Sequence, residues 1–134
     1  SRKEFVFNFD QDSNPKMITK SIELVYGLRN FIGNANKFAK NTIFINLKSD
    51  SEITEITVED DGDGYPRDII SKIGEPYLKS NYSKDKSKEG LGLGLFIGKT
   101  LLEKNFASVN CRNSKTRNGA EVVIRWKNKE LFNI

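Results

Sequence analysis

The 134-residue chain has no histidine, one cysteine, one tryptophan and three prolines. Without histidine there can be no zinc site built on histidines, no Ser-His-Asp triad, no Cys-His dyad and no histidine general base. Any chemistry therefore falls to carboxylates, amides, lysines or a bound metal. A histidine, where one is needed, has to come from another polypeptide segment. A single cysteine cannot close an intramolecular disulfide, which removes the secreted disulfide-scaffold class and points to a reducing, cytoplasmic setting. No run approaches the ~20 apolar residues that cross a bilayer, so no membrane contact is expected of this chain. Ser1-Arg2-Lys3-Glu4 opens no signal-peptide core and runs straight into a strand, as in a piece cut from a longer chain. Charge of one sign is scarce too: 22 Lys+Arg against 18 Asp+Glu leave +4, a solvated surface and not the dense basic face of a nucleic-acid binder. The 37% hydrophobic content suffices for one core, and one domain over 1–134 is expected.

Phe5 to Phe9 alternate as a half-buried strand does. From Thr19 to Lys40, apolar residues at Ile22, Val25, Leu28, Ile32, Ala35 and Ala39 step by three and four, which predicts a long amphipathic helix. Ile43–Leu47 and Ile53–Glu59 are β-rich and split by Ser49-Asp50-Ser51, an antiparallel pair. A glycine turn (Asp60 to Gly64), a short helix (Arg67 to Ile73) and a polar lysine-rich loop (79–90) follow. The loop reads as a mobile lid. Leu91 to Asn105 is a second long helix, and Val109–Arg112 and Ala120–Trp126 are two more strands. Helices and strands mix without strict alternation. The natural packing is an α+β two-layer sandwich, a mixed sheet with helices on one face.

Three attractive motifs fail on spacing. Gly98-Lys99-Thr100 would need a glycine at 93 to make a P-loop, and position 93 is leucine. A dinucleotide fingerprint after Gly92 and Gly94 would need glycine at 97, which is isoleucine. A calcium loop counted from Asp61 meets Tyr65, Pro66 and Lys72 where ligands or glycine belong.

Four segments survive. Asn30, Asn34 and Lys37 share a helix face; amide oxygens suit a hard cation such as Mg2+, and a lysine suits phosphate. Taken alone, they read first as surface residues of an ordinary amphipathic helix. Asp60-Asp61-Gly62-Asp63-Gly64-Tyr65 follows a strand; its first carboxylate can accept from a purine amino group, and its glycines admit a flat ring. Taken alone, it is a plain turn. Gly74-Glu75-Pro76-Tyr77 places an aromatic at the base of the lid. Gly90-Leu91-Gly92-Leu93-Gly94-Leu95 bares backbone N–H groups at a helix start, an anion site. The bland alternative for this segment is a flexible linker.

In this order the four segments resemble the N, G1, F and G2 boxes of the histidine-kinase ATP-binding domain, in the superfamily of gyrase, Hsp90, histidine kinases and MutL. The resemblance covers about residues 5–127. The stretches Val25 to Ala35, Gly74 to Tyr77 and Gly90 to Glu103 are most similar to the RegB/PrrB redox-responsive sensor kinases. It implies the Bergerat ATP-binding fold with 79–90 as ATP lid. It also implies Asn34 on the Mg2+ that bridges the triphosphate of ATP, Asn30 beside it, Lys37 on a phosphate and Phe38 packing where relatives often have tyrosine. Asp60 would read adenine; Gly62, Gly64 and Tyr65 would line the base pocket. Gly90, Leu91, Gly92, Leu93, Gly94 and Leu95 would meet the phosphates. Ala120 lies where many relatives place threonine, so it brings no hydroxyl to the base. Asp61 and Asp63 replace the usual second and fourth residues of the G1 box, adding negative charge near the pocket unless they face solvent.

Position 30 separates the enzymatic readings: hydrolytic relatives place a glutamate there as general base, and Asn30 cannot take a proton at neutral pH. The implied reaction is γ-phosphoryl transfer to a histidine on a dimerising hairpin upstream in the chain, then to an aspartate on a response regulator. The alternatives are a stand-alone ATPase of the same superfamily, an anti-sigma-type serine kinase and a non-catalytic module. RegB-type kinases are known for a redox-active cysteine near the phosphoacceptor histidine. That region is absent here, and Cys111 reads as a small buried strand residue.

Overall fold

The computed structural model describes residues 3–9, 22–70 and 91–131, and the proposed lid and the Gly74–Tyr77 segment lie outside them. The elements are β1 (Glu4–Phe9), α1 (Ile22–Phe38), β2 (Thr42–Ser49), β3 (Ile53–Asp60), α2 (Arg67–Ile70), α3 (Leu91–Lys104), β4 (Ser108–Asn113), β5 (Ala120–Lys127) and α4 (Asn128–Leu131). The short α4 has no counterpart in the sequence pattern, since four residues are too few to show a period.

The strands form one mixed sheet in the order β1-β2-β3-β5-β4. β1 pairs parallel with β2, so α1 is the crossover between them, and the other pairings are antiparallel. The two long helices cover one face. Leu24 and Phe31 of α1 and Leu95 and Leu102 of α3 pack with Val122, Ile124 and Trp126 of β5. A smaller cluster joins Ala35 and Ala39 to Ile43 and Val58. The opposite face carries charge, with Arg125 bonded to Glu55 at 2.7 Å and Arg112 paired with Glu121.

Glycine sets the distance between the helices. A Cβ at Gly27 would lie 2.7 Å from Leu102 Cγ, and one at Gly98 would lie 2.8 Å from the Phe31 ring. Glycine inside a helix costs about 1 kcal/mol relative to alanine; here it lets α1 and α3 approach closely enough to fill the core without voids. Gly94 continues the seam, with its Cα against the Asn34 side-chain amide.

The period of two along β3 puts Asp60 on the same face as Val58, toward the helices. Asp60 is therefore a carboxylate at the edge of the core, where β3 ends. Glu59 points the other way, and Ser114 Oγ, Thr116 Oγ1 and Arg117 Nε donate to it beneath the β4–β5 turn.

Candidate functional site

A narrow cleft opens between the C-terminal half of α1, the end of β3, the following turn and the start of β5, with about 410 Å³ of empty space that includes its open mouth. Its walls are Phe31, Asn34, Ala35, Phe38, Val58, Asp60, Gly64, Tyr65, Ala120 and Val122. A wider hollow at the β2–β3 turn, about 680 Å³, is lined by Ser51, Glu52, Ile53, Lys127 and Lys129. All five are exposed, so it offers no desolvated polar group to fix a ligand.

Asp60 is the charged group at the floor of the cleft, and it is 3% exposed. Its Oδ1 accepts from Gly62 N–H at 2.8 Å and Ala120 N–H at 3.2 Å. Among the described residues Oδ2 has no hydrogen-bond partner. Burial raises the Asp60 pKa above the ordinary carboxylate value; the two N–H bonds oppose this, and the negative neighbours Asp61 and Glu59 add to it.

Asn34 faces the same space. Its Nδ2 is the one buried side-chain polar atom without a partner among the described residues. Such an atom costs free energy unless something else engages it. Which end of the amide points into the gap is an assignment, so the same position can present an oxygen.

The turn that carries Asp60 is held from three sides. Gly62 is packed so tightly under the Phe38 carbonyl that a Cβ there would overlap it. Gly64 sits at φ +82°, a conformation that favours glycine. Tyr65 N–H donates to Asn113 Oδ1 at 2.7 Å, and Asn113 Nδ2 donates to Tyr65 O at 3.3 Å. The Tyr65 side chain is buried against Cys111; burial first, then Cys111 and Asp60, push its hydroxyl well above the ordinary value. Burial pushes the Cys111 thiol up to about 12, so it stays protonated and unreactive.

The structure brings Asn34, Phe38, Asp60, Gly64, Tyr65 and Ala120 to one cleft. Gly62 stands behind it as a backbone donor to Asp60. Asn30 turns its amide along its own helix, donating to Tyr26 O at 2.8 Å. Lys37 is exposed, with its ammonium 5.3 Å from the Phe38 ring centroid. Leu91, Gly92 and Gly94 lie inside the first turn of α3 rather than ahead of it, as does Leu93. The first four N–H groups of the helix are still without intrahelical partners there. Leu95 is fully buried in the core, not on the cleft wall. Gly90 lies outside the described residues.

Asp61 does not face solvent idly. Its carboxylate accepts from the N–H groups of Lys40, Asn41 and Thr42 and so ties the α1–β2 connection to the end of β3. Burial opposes its charge, but these N–H bonds outweigh it and hold its pKa below the ordinary value. Asp63 is exposed and pairs with Lys40 at 3.3 Å.

Phe31, Ala35, Val58 and Val122 line the cleft, yet in the sequence they are ordinary core positions. Asn113 carries no sequence signal beyond ending a strand.

A family profile described as histidine kinase-, DNA gyrase B- and HSP90-like ATPase matches residues 19–130. The sensor histidine kinase RegB of Cereibacter sphaeroides is 38% identical over 108 residues, covering 77% of this chain and 23% of that protein. The sensor protein RstB of Escherichia coli is 31% identical over 99 residues, covering 74% of this chain and 23% of that protein. The chain thus spans about a quarter of the length of these curated relatives. Among solved structures, the mycobacterial sensor histidine kinase MprB superposes with a TM-score of 0.69 at 22% identity, over 92% of this chain and 82% of that one. Full-length ShkA, solved with AMPPNP, superposes with a TM-score of 0.67 at 22% identity, over 92% of this chain and 25% of that one. These likenesses establish the fold, an α+β sandwich shared with histidine kinase catalytic domains.

Proposed function

The chain belongs to the histidine kinase-, DNA gyrase B- and HSP90-like ATPase family, and on that premise we propose that it binds Mg-ATP and donates the γ-phosphoryl group to a histidine on a separate dimerisation hairpin of a two-component sensor kinase. The observation that carries this reading is Asp60, a buried carboxylate facing an apolar cleft with both of its N–H bonds on Oδ1. That arrangement leaves Oδ2 to accept from the amino group of adenine, between Val58, Val122 and Tyr65. Guanine, with a carbonyl at that position, would set oxygen against carboxylate.

Asn34 fits the metal. Its buried Nδ2 lacks a partner, and with the amide turned over its oxygen would take that place against Gly94 at the start of α3, where unpaired N–H groups can take phosphate oxygens. Among the described residues no cluster of three or more His, Cys, Asp or Glu could hold an ion without nucleotide. Mg2+ would thus be held by Asn34 together with the triphosphate, and when bound it would neutralise charge on the phosphates. Lys37, at the exposed end of α1, can reach a phosphate as a point charge.

Asn30 supports transfer over hydrolysis. Its amide is committed to the Tyr26 carbonyl and has no proton-accepting carboxylate to activate water. The remaining work is positioning and charge neutralisation. The acceptor hairpin and a response regulator are the partners this reading requires. Among the described residues no helix is long and apolar enough to cross a membrane; the domain is proposed to work in the cytoplasm as part of a membrane-bound sensor.

The test is Mg-ATP titration of this chain beside Asp60→Asn, then addition of the histidine-bearing hairpin in trans. Expected are ATP binding that Asp60→Asn weakens at least tenfold, and phosphohistidine only when the hairpin is present. No ATP binding would remove the reading. Steady phosphate release by the chain alone would favour an ATPase, and phosphoserine on a partner would favour a serine kinase.

A further inference from the structure

Asn113, at the end of β4, has no part in the roles proposed so far, and it does not line the cleft. Its amide nonetheless makes both halves of a β-bridge to one residue, accepting from Tyr65 N–H at 2.7 Å and donating to Tyr65 O at 3.3 Å. The neighbouring backbone is shaped around it, because a Cβ at Gly64 would lie 2.7 Å from Asn113 Oδ1. Asn113 pairs in register with Ala120, whose own N–H bonds to Asp60 Oδ1 at 3.2 Å. One hairpin therefore grips both ends of the turn 60–65: β5 holds Asp60 and β4 holds Tyr65.

The grip is braced from the other face. Ser114 N–H donates to Gly119 O at 2.7 Å and closes the hairpin mouth. Ser114, Thr116 and Arg117 all donate to the buried Glu59, and the Arg117 guanidinium lies 3.5 Å from the centroid of the Phe44 ring. A loop of six residues between two strands, 114–119, would otherwise be free to move and carry Asn113 with it.

From this geometry we infer that Asn113 is a positioning residue for the nucleotide base: it fixes the Gly64–Tyr65 wall against Asp60 and thereby sets affinity for adenine without touching it. The inference rests on the cleft being the ATP site. Asn113 acts on the base wall and not on the phosphate end, where Asn34 and the start of α3 lie. Its loss must therefore weaken ligands through their base.

The experiment compares the chain with Asn113→Ala, Asn113→Ser and Val109→Ala. Val109 is also on β4 and packs against the core without lining the cleft, so it controls for loss of stability. Affinities for Mg-ATP and for adenosine are measured by calorimetry or competition at a temperature where every variant is folded. Asn113→Ala is expected to weaken ATP and adenosine by the same factor, at least tenfold. Asn113→Ser, which keeps a short polar group, is expected to lose less, and Val109→Ala less than twofold. If Asn113→Ala does not fold, Asn113→Ser decides by the same comparison with Val109→Ala. Unchanged ATP affinity in a folded Asn113 variant overturns the inference. So does a loss matched by Val109→Ala, or a loss for ATP without one for adenosine. If the unaltered chain binds no ATP, the proposed function fails first and this inference with it. If it binds ATP and Asn113→Ala binds equally well, this inference fails alone.

Discussion

Gly119 lies against the backbone carbonyl of Asp60 so closely that a Cβ at 119 would overlap the oxygen. The contact brings Ala120 N–H onto the Asp60 side chain at 3.2 Å. Gly119→Ala must push β5 away from the end of β3 or twist the turn. Overpacking of this kind costs about 1–3 kcal/mol. The expected outcome is a lower urea midpoint together with weaker ATP binding, read by chemical denaturation and titration of the same sample. A variant that loses neither would show that the two strands part without consequence.

Asp61 gives a pH-dependent effect with a defined sign. The N–H groups of Lys40, Asn41 and Thr42 hold its folded pKa below the unfolded value near 3.8. The folded chain then binds fewer protons at this site than the unfolded chain. The stabilisation is complete above the unfolded pKa and is lost as pH falls through the folded one. Asp61→Ala should cost about 1 kcal/mol near neutrality, as loss of a capping carboxylate does. The melting-temperature gap between the two proteins should close as pH falls below 3.8. A gap that stayed constant down to pH ~2 would contradict the assignment.

Two glycines of one fold should respond with opposite signs. Gly33 is exposed in α1 and a Cβ there meets nothing within 4 Å. Gly33→Ala should stabilise by about 0.5–1 kcal/mol through helix propensity. Gly98→Ala would set a methyl 2.8 Å from Phe31 and should destabilise by about 1–3 kcal/mol. Thermal melts of both variants check the pair. Equal signs would mean that the α1–α3 seam yields freely.

Phe106 follows α3 with φ 71° and is 55% exposed. An L-residue in that region costs roughly 1–2 kcal/mol relative to glycine, and a ring this exposed recovers little by packing. Phe106→Gly should therefore raise stability by about 1 kcal/mol, measured as an upward shift in melting temperature. A fall would show that the Phe106 ring is held by contacts worth more than the strain.

The strands and long helices were legible because each buries one face. Ile22, Val25, Leu28, Ile32 and Ala35 carry the helical period, alternation in Phe5 to Phe9 carries β1, and the β-rich runs Ile43–Leu47 and Ile53–Glu59 carry β2 and β3. Asn34 could be singled out because an amide on the buried side of a helix needs a reason, and Asp60 because a carboxylate directly after a strand is followed by glycines that admit a flat ring. The glycines of α3 have a packing role that the sequence does not show. The sequence predicts that Gly94 serves an anion, while the structure also sets it against Asn34, and puts Gly98 against Phe31. A glycine says that space is tight and does not say what fills it. Asn113 was illegible for the same reason: its partner, Tyr65, is 48 residues away.

The sequence by itself determined the strands and the two long helices, an acid directly after β-rich residues 53–59, and the absence of any histidine in this chain to receive a phosphoryl group. These follow from local periodicity and composition, which each segment carries alone. Only the tertiary structure decided that Asp61 is a backbone anchor, and that Asn113 and Ala120 clamp the turn from the neighbouring strands β4 and β5. Those roles depend on which donors and acceptors long-range packing brings within about 3 Å, and no window of sequence contains both partners.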